Sequence, residues 1–422
     1  MKADRIVKDA GVVFIGTALT SVFSLLYQLY MVRALNPVDF GILNSLLPLM
    51  LFISAPTGTL QTVATKFIAG FKAQNDWARI HSFLVIFFKK VTLISLAFFA
   101  VIVLFSRNIA NFLKIEDSSL MIIVGLMVVT STIFPFALGA LQGLQKFKSL
   151  GAATVISSAL KLGFSIFFVT MGLRVWGALA GIVISSFIAL LLCFFPLWPY
   201  LRSGNSTIKC PGEGKLDISS VYKFCLPVLL GLPSFVVLTN VDMILVKRFF
   251  SPADAGYYAI AQMVGKMIIF LPTAVTTVMF PKVTESHVRN ENTKKILKKC
   301  LLFVGGICVS ASIVCAVFPR FVFYILCGKV YPECLPLVIP FVVSMTFFSL
   351  NNVFLYYHLS THRLGAVYLF FAFTVIQILG IILFHGSLSQ VVYVLSVVAL
   401  LLFIGNQLVF VIENKGKSAV AI

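Results

Sequence analysis

Apolar residues run along this chain in long blocks broken by short polar intervals, without the strict alternation of half-buried strands. Most blocks approach the 20 residues an α-helix needs to cross about 30 Å of hydrocarbon at about 1.5 Å per residue. The pattern predicts six spanning helices over residues 11–33, 40–65, 91–106, 119–141, 150–172 and 176–199. Six more follow over 222–246, 255–280, 300–318, 334–358, 364–385 and 390–412. Between the two sets, Arg202 to Ser220 is the longest polar stretch and reads as a linker. The expected fold is an all-α membrane protein of about twelve transmembrane helices. A six-helix bundle at 1–200, a cytoplasmic linker at 201–220 and a second six-helix bundle at 221–422 make up its domains.

Composition agrees: 60% of residues are hydrophobic, 11% are charged and the mean hydropathy is +1.04, values no water-solvated domain tolerates. The formal net charge of +19 does not mark a nucleic-acid partner, because the Lys and Arg residues lie singly or in pairs between apolar runs. Alternate loops instead carry 20 and 8 of them, which by the positive-inside rule puts both termini in the cytoplasm and the chain in the cytoplasmic membrane. The run at 12–32 is too long for a cleaved signal peptide. Trp77 to Lys90 mixes polar and apolar residues and is expected to lie along the interface before the third helix turns inward. The eight cysteines show no metal-ligand spacing, and Cys327 and Cys334, bracketing one short loop, are the pair that could close a disulfide. No cofactor is expected, and the absence of a G-x-x-x-x-G-K-[ST] loop argues against direct ATP drive.

The two halves repeat. Pro37-Val-Asp39-Phe-Gly41 follows the first helix and Pro252-Ala-Asp254-Ala-Gly256 follows the seventh. An even helix number per half gives both halves one orientation, related by an axis along the membrane normal. Within each motif Pro fixes φ, Asp is expected to cap the next helix and Gly to permit a close entry.

These residues carry a family resemblance. The first half shows Arg33-Ala-Leu-Asn-Pro-Val-Asp-Phe-Gly41 and Lys66-Phe-Ile-Ala-Gly-Phe-Lys72. The second shows Asp242, Ala255-Gly-Tyr-Tyr-Ala-Ile-Ala261, Phe280-Pro-Lys282 and Gly328-Lys-Val-Tyr331. Together they resemble the polysaccharide-unit flippases of the multidrug/oligosaccharidyl-lipid/polysaccharide (MOP) exporter superfamily. The resemblance implies two six-helix bundles around a central cavity and transport of a lipid-linked oligosaccharide by alternating access. Partners would be that substrate, membrane lipid, polysaccharide polymerase and glycosyltransferases.

A lysine at the centre of a bilayer costs about 2.5 to 3.5 kcal/mol on insertion scales, so one that persists there usually serves a partner. Lys161 and Lys266 are the two with no easy route to an interface. Ser157, Ser158 and Ser165 share the face of Lys161, and Gln262, Thr273 and Thr277 that of Lys266. The expected substrate-binding set is Lys161, Lys266, Ser158 and Gln262, with Arg33 at a helix end and Asp242 as counter-ion or coupling group. The plain alternative is a buried ion pair between Asp242 and one lysine. Lys247 and Arg248 are expected to snorkel.

A drug exporter of the same architecture is the competing transporter reading, although organic cations would call for acidic groups where this chain offers lysines. A membrane sugar polymerase or ligase would need a sizeable outward loop rich in Arg, His or Asp, and none is evident. A scaffold in an envelope-synthesis complex is the remaining alternative, and no enzymatic activity is expected.

Overall fold

A computed structural model describes residues 2–54, 57–202, 233–288, 293–361 and 364–419. The linker at 203–220 lies outside the described residues, as do the side chains of Thr273, Thr277 and Lys282. All described regular structure is helical. Among the described residues seven stretches are long and apolar enough to cross a membrane, with two shorter apolar helices at Pro37–Phe52 and Tyr368–Leu383. One of the seven, Phe147–Leu201, is 55 residues long, more than twice a single crossing.

The helices are α1 (Lys2–Ala34), α2 (Pro37–Ser54), α3 (Thr57–Ala73), α4 (Trp77–Leu104), α5 (Ser106–Phe112), α6 (Leu120–Gly143), α7 (Phe147–Phe168) and α8 (Arg174–Arg202). After the undescribed stretch come α9 (233–238), α10 (Val241–Phe249), α11 (Pro252–Val288), α12 (Thr293–Val317), α13 (Pro319–Cys327), α14 (Leu335–Ser360), α15 (Leu364–Leu383) and α16 (Leu388–Ala419). The chain divides into two compact units, residues 1–35 with 49–221 and residues 36–48 with 222–422.

In the first unit, α7 and α8 form a hairpin. A π-turn at Val169–Leu173 ends with Gly172 at φ 89° and Arg174 at φ 42°, left-handed values that reverse the chain. Gly177 and Gly181 then lie directly against Phe168 and Ser165, and Ser165 donates to the Ala178 carbonyl at 3.1 Å. Small residues that let backbones approach are a main means of packing helices in lipid. Gly139 and Gly143 of α6 do the same against Gln61, Thr65 and Ile68 of α3.

Two expected spans of the first half differ. The Trp77–Lys90 segment does not lie apart from the third helix: α4 is one unbroken helix of 28 residues. It contains neither Pro nor Gly, and a turn inside it would strand amide groups that lipid cannot satisfy. Its start is capped by Asp76, which accepts from Arg79 N, and His81 Nδ1 lies 2.8 Å from the Tyr200 carbonyl of α8. The span expected at 40–65 is two helices, α2 and α3, either side of the undescribed residues 55 and 56.

In the second unit α14 is the hub. Ser344 bonds Ser396 of α16 at 2.8 Å, Asn351 donates to the Ala399 carbonyl at 2.9 Å and Asn406 to Asn351 Oδ1 at 3.1 Å. Both Pro-x-Asp-x-Gly motifs belong to this unit and meet: Gly41 packs on Gly256, and Gly256 packs on the Pro37 carbonyl. Gly supplies the close approach, as expected, but Asp does not supply the cap. Asn36 accepts from Asp39 N at 2.7 Å and Ser251 from Asp254 N at 3.2 Å. The residue before each proline is therefore the N-cap, and Pro sits at the first helical position, where its missing N–H costs nothing.

Candidate functional site

The first unit carries Lys161 on α7. Its ammonium donates to Ser24 Oγ of α1 at 3.1 Å and stands 5.0 Å from the centroid of the Tyr27 ring. Thr20, Ser24, Tyr27 and Gln28 recur at helical spacing, so α1 presents a polar face toward this lysine. Among the described residues, Thr20 Oγ1, the Tyr27 hydroxyl and Gln28 Oε1 are buried without a hydrogen-bond partner. Buried polar atoms are nearly always paired, so three orphans on one face are exceptional.

Ser158 is buried, and its hydroxyl donates to the Val155 carbonyl of its own helix at 2.9 Å. Arg33 is exposed in the last turn of α1, nine residues and about 13 Å along the helix beyond Ser24. The Ser158 hydroxyl is thus committed to its own helix, and Arg33 lies away from Lys161 along α1. A cation at a helix C-terminus is favoured by the backbone dipole alone.

The second unit gathers Lys266, Gln262 and Asp242, and the gathering depends on a break. The helix expected at 222–246 is interrupted at Thr239 and Asn240, where Asn240 has φ −139° and ψ −19°. Thr239 Oγ1 and Asn240 Nδ2 bond back to Phe235 O and Val236 O at 2.9 and 2.8 Å, and α15 braces the same segment: Gln377 donates to Leu238 O at 2.8 Å and Thr374 to Ser234 O at 3.2 Å. Asn240 thereby turns its side chain to α11, and Lys266 donates to Asn240 Oδ1 at 2.8 Å. Asp242, at 0% exposure, opens the first turn of α10. Its Oδ2 accepts from the Tyr258 hydroxyl at 2.8 Å and from Gln262 Nε2 at 2.6 Å, while its Oδ1 has no partner among the described residues.

Among the described residues no direct salt bridge joins Asp242 to either lysine: Lys266 donates to an uncharged amide with the Asp242 carboxyl acting on it electrostatically, and Lys161 meets a hydroxyl and a ring. Sequence reading missed the partners. Tyr258 lies four residues before Gln262 and eight before Lys266 on one helical face, a spacing that was available. Lys247 does not snorkel either. It is buried at 1% exposure in the last turn of α10, where the carbonyl end of a short helix favours a cation.

Cys327 and Cys334 are thiols not joined to each other, and the Cys334 thiol donates to the Tyr257 carbonyl at 3.3 Å. No cluster of three or more metal-binding side chains occurs among the described residues.

Comparison with known proteins agrees with the helical architecture. An inward-facing multidrug resistance MATE family transporter of the MOP superfamily superposes with a TM-score of 0.74 at 13% identity, covering 94% of this chain and 96% of that one. The lipid II flippase MurJ in an inward closed conformation gives 0.72 at 13% identity, over 94% and 87%. A MOP superfamily transporter from Pyrococcus furiosus, described by the reverse polarity of its binding pocket, gives 0.60 at 13% identity, over 96% and 94%. Among sequences, an uncharacterized membrane protein of Methanocaldococcus jannaschii is 23% identical over 276 residues. That match covers 62% of this chain and 64% of the relative, short of two thirds of its length. The fold is that of MOP superfamily membrane transporters, and a family profile matches residues 6–287, two thirds of the sequence. The chain belongs to the polysaccharide biosynthesis protein family.

Proposed function

We propose that this protein is a flippase that carries polyprenyl-pyrophosphate-linked oligosaccharide units across the cytoplasmic membrane for surface polysaccharide synthesis. Both termini are cytoplasmic in this reading, and two six-helix halves, 1–200 and 221–422, work by alternating access. One observation carries it: two ammonium groups on membrane helices, Lys161 and Lys266, rest on uncharged partners. A lysine neutralised by a carboxylate would be structural. One leaning on an amide or a hydroxyl is open to exchange that partner for an anionic guest, because a phosphate oxygen is the stronger acceptor. The polar face of α1 offers further hydrogen bonds to such a head group. Asp242, with one oxygen unpartnered among the described residues, is the group we assign to counter-charge or coupling.

An exporter of organic cations would share the fold. It would need carboxylates facing its cargo, whereas Asp242 is fully buried and engaged by Tyr258 and Gln262.

The test is translocation of a fluorescent lipid-linked oligosaccharide in reconstituted vesicles. Lys161→Ala and Lys266→Ala should each lower the rate, and the double variant should abolish it at normal protein levels. Full activity in the double variant removes both lysines from the mechanism.

A further inference from the structure

The first unit has a groove on its flank that the transport mechanism does not use. It lies between α4 and α8, has a volume of about 510 Å³, and is lined by Val85, Phe88, Lys89, Thr92, Leu93 and Leu96 of α4 with Phe194 and Leu201 of α8. The α4 residues recur at helical spacing and form one stripe about 16 Å long. Its floor is aromatic. The Phe88 ring packs edge-on against Phe136 at 4.8 Å and tilted against Phe194 at 5.2 Å, and both Phe88 and Phe194 back onto an apolar cluster of the unit. The walls are open, with Leu93 68% and Leu96 49% exposed.

The depth of this groove can be read from α4. Twenty residues counted back from Leu104 reach Val85, and about 20 residues cross the hydrocarbon. Lys89 then sits about 6 Å inside the apolar layer, within snorkelling distance of the phosphate level. Trp77 and Tyr200, with ring centroids 5.8 Å apart, place an aromatic pair on the polar side of it, as membrane interfaces favour. Lys89 is exposed, and no hydrogen bond or ion pair holds it among the described residues. From Lys89 the stripe continues inward over Thr92, Leu93 and Leu96, all uncharged.

A cation at phosphate depth above an apolar trough with an aromatic floor has the shape and charge of one lipid. We infer that this groove is a binding site for an anionic membrane phospholipid, its phosphate on Lys89 and one acyl chain along Thr92, Leu93 and Leu96 over the Phe88 and Phe194 rings. The inference is independent of the cargo, because it concerns the lipid-facing flank of one unit and neither Lys161 nor Lys266.

Native mass spectrometry of the purified full-length protein with added phosphatidylglycerol or phosphatidylcholine tests it. The wild type should retain phosphatidylglycerol preferentially. Lys89→Gln should lower that preference about fivefold, the factor expected for one lysine at an anionic headgroup. Thr92→Trp, which fills the trough, should lower retention of both lipids, and Lys148→Gln, an exposed lysine elsewhere in the unit, should change neither. Unchanged preference in Lys89→Gln, or unchanged retention in Thr92→Trp, overturns the assignment. Displacement of phosphatidylglycerol by equimolar polyprenyl phosphate also overturns it, by giving the groove to the carrier lipid.

Discussion

Lys266 donates to Asn240 Oδ1 at 2.8 Å, while Asp242, two residues along the same interrupted segment, is held by Tyr258 and Gln262. The amide keeps ammonium and carboxylate on separate partners. Asn240→Ala removes that separation and frees Lys266 to pair with Asp242, cancelling the charge offered to an anionic guest. Apparent affinity for lipid-linked pyrophosphate should fall about tenfold, the worth of one charge-assisted hydrogen bond. Vesicle transport over a range of substrate densities measures this. Wild-type affinity in Asn240→Ala would show that Asn240 does not govern the lysine.

Tyr27 gives a second test, because its ring and its hydroxyl do different things. The ring stands beside Lys161 and the hydroxyl has no partner among the described residues. Tyr27→Phe keeps the ring and should leave stability within about 0.5 kcal/mol of wild type. Tyr27→Leu removes the cation–π contact and should cost about 1 to 2 kcal/mol, seen as a lower melting temperature in detergent. Equal melting temperatures for the two variants would dismiss the ring contact.

The glycine contact between the two repeat motifs should be intolerant in a graded way. A Cβ on Gly256 would strike the Pro37 carbonyl, whereas one on Gly41 would lie 3.0 Å from Gly256. Gly256→Ala should destabilise by about 1 to 3 kcal/mol, and Gly41→Ala by less. Thermal unfolding reads the order directly, and the reverse order would contradict the packing described.

Asp117, on the loop before α6, supplies a pH test outside the spanning helices. Hydrogen bonds from Ser119 and from Trp176 Nε1, the latter at 2.7 Å, hold its carboxyl below the usual carboxylate value. A group so lowered stabilises the fold above its unfolded pKa of about 3.9 and yields that stability as pH falls through its lower folded value. Trp176 fluorescence, in a Trp77→Phe, Trp198→Phe background, should therefore change below about pH 4. Asp117→Asn should abolish the change, and a transition surviving in that variant would assign it elsewhere.

What the sequence revealed follows from what each feature leaves in a linear pattern. Lys161 and Lys266 stood out because a lone cation inside an apolar run has few explanations. The repeated Pro-x-Asp-x-Gly was plain, but not that Asn36 and Ser251 would be the caps, since Asp and Asn compete for that role at neighbouring positions. The break at Thr239 and Asn240 has no Pro or Gly within it. Gln377 and Thr374, some 140 residues away, brace its carbonyls, a contact that leaves no mark in the local pattern. The local mark was the Thr239–Asn240 pair, whose side chains bond back to Phe235 O and Val236 O. Continuity of α4 was obscured in the opposite sense, because its polar opening turns resemble an interfacial segment although nothing breaks its backbone ladder. The spacing of Thr20, Ser24, Tyr27 and Gln28 was present all along, disguised by the apolar residues between them.

The interruption between α9 and α10 also breaks the run of backbone dipoles at Thr239 and Asn240. The carbonyl end of the first half and the amide end of the second face the same few residues, so peptide units themselves supply partial charges of both signs at the gap. Asp242 in the first turn of α10 lies at the amide end, where a negative charge is eased. A bilayer offers no water to do that work. Part of the site's electrical character therefore resides in the main chain, where side-chain substitution alone cannot remove it.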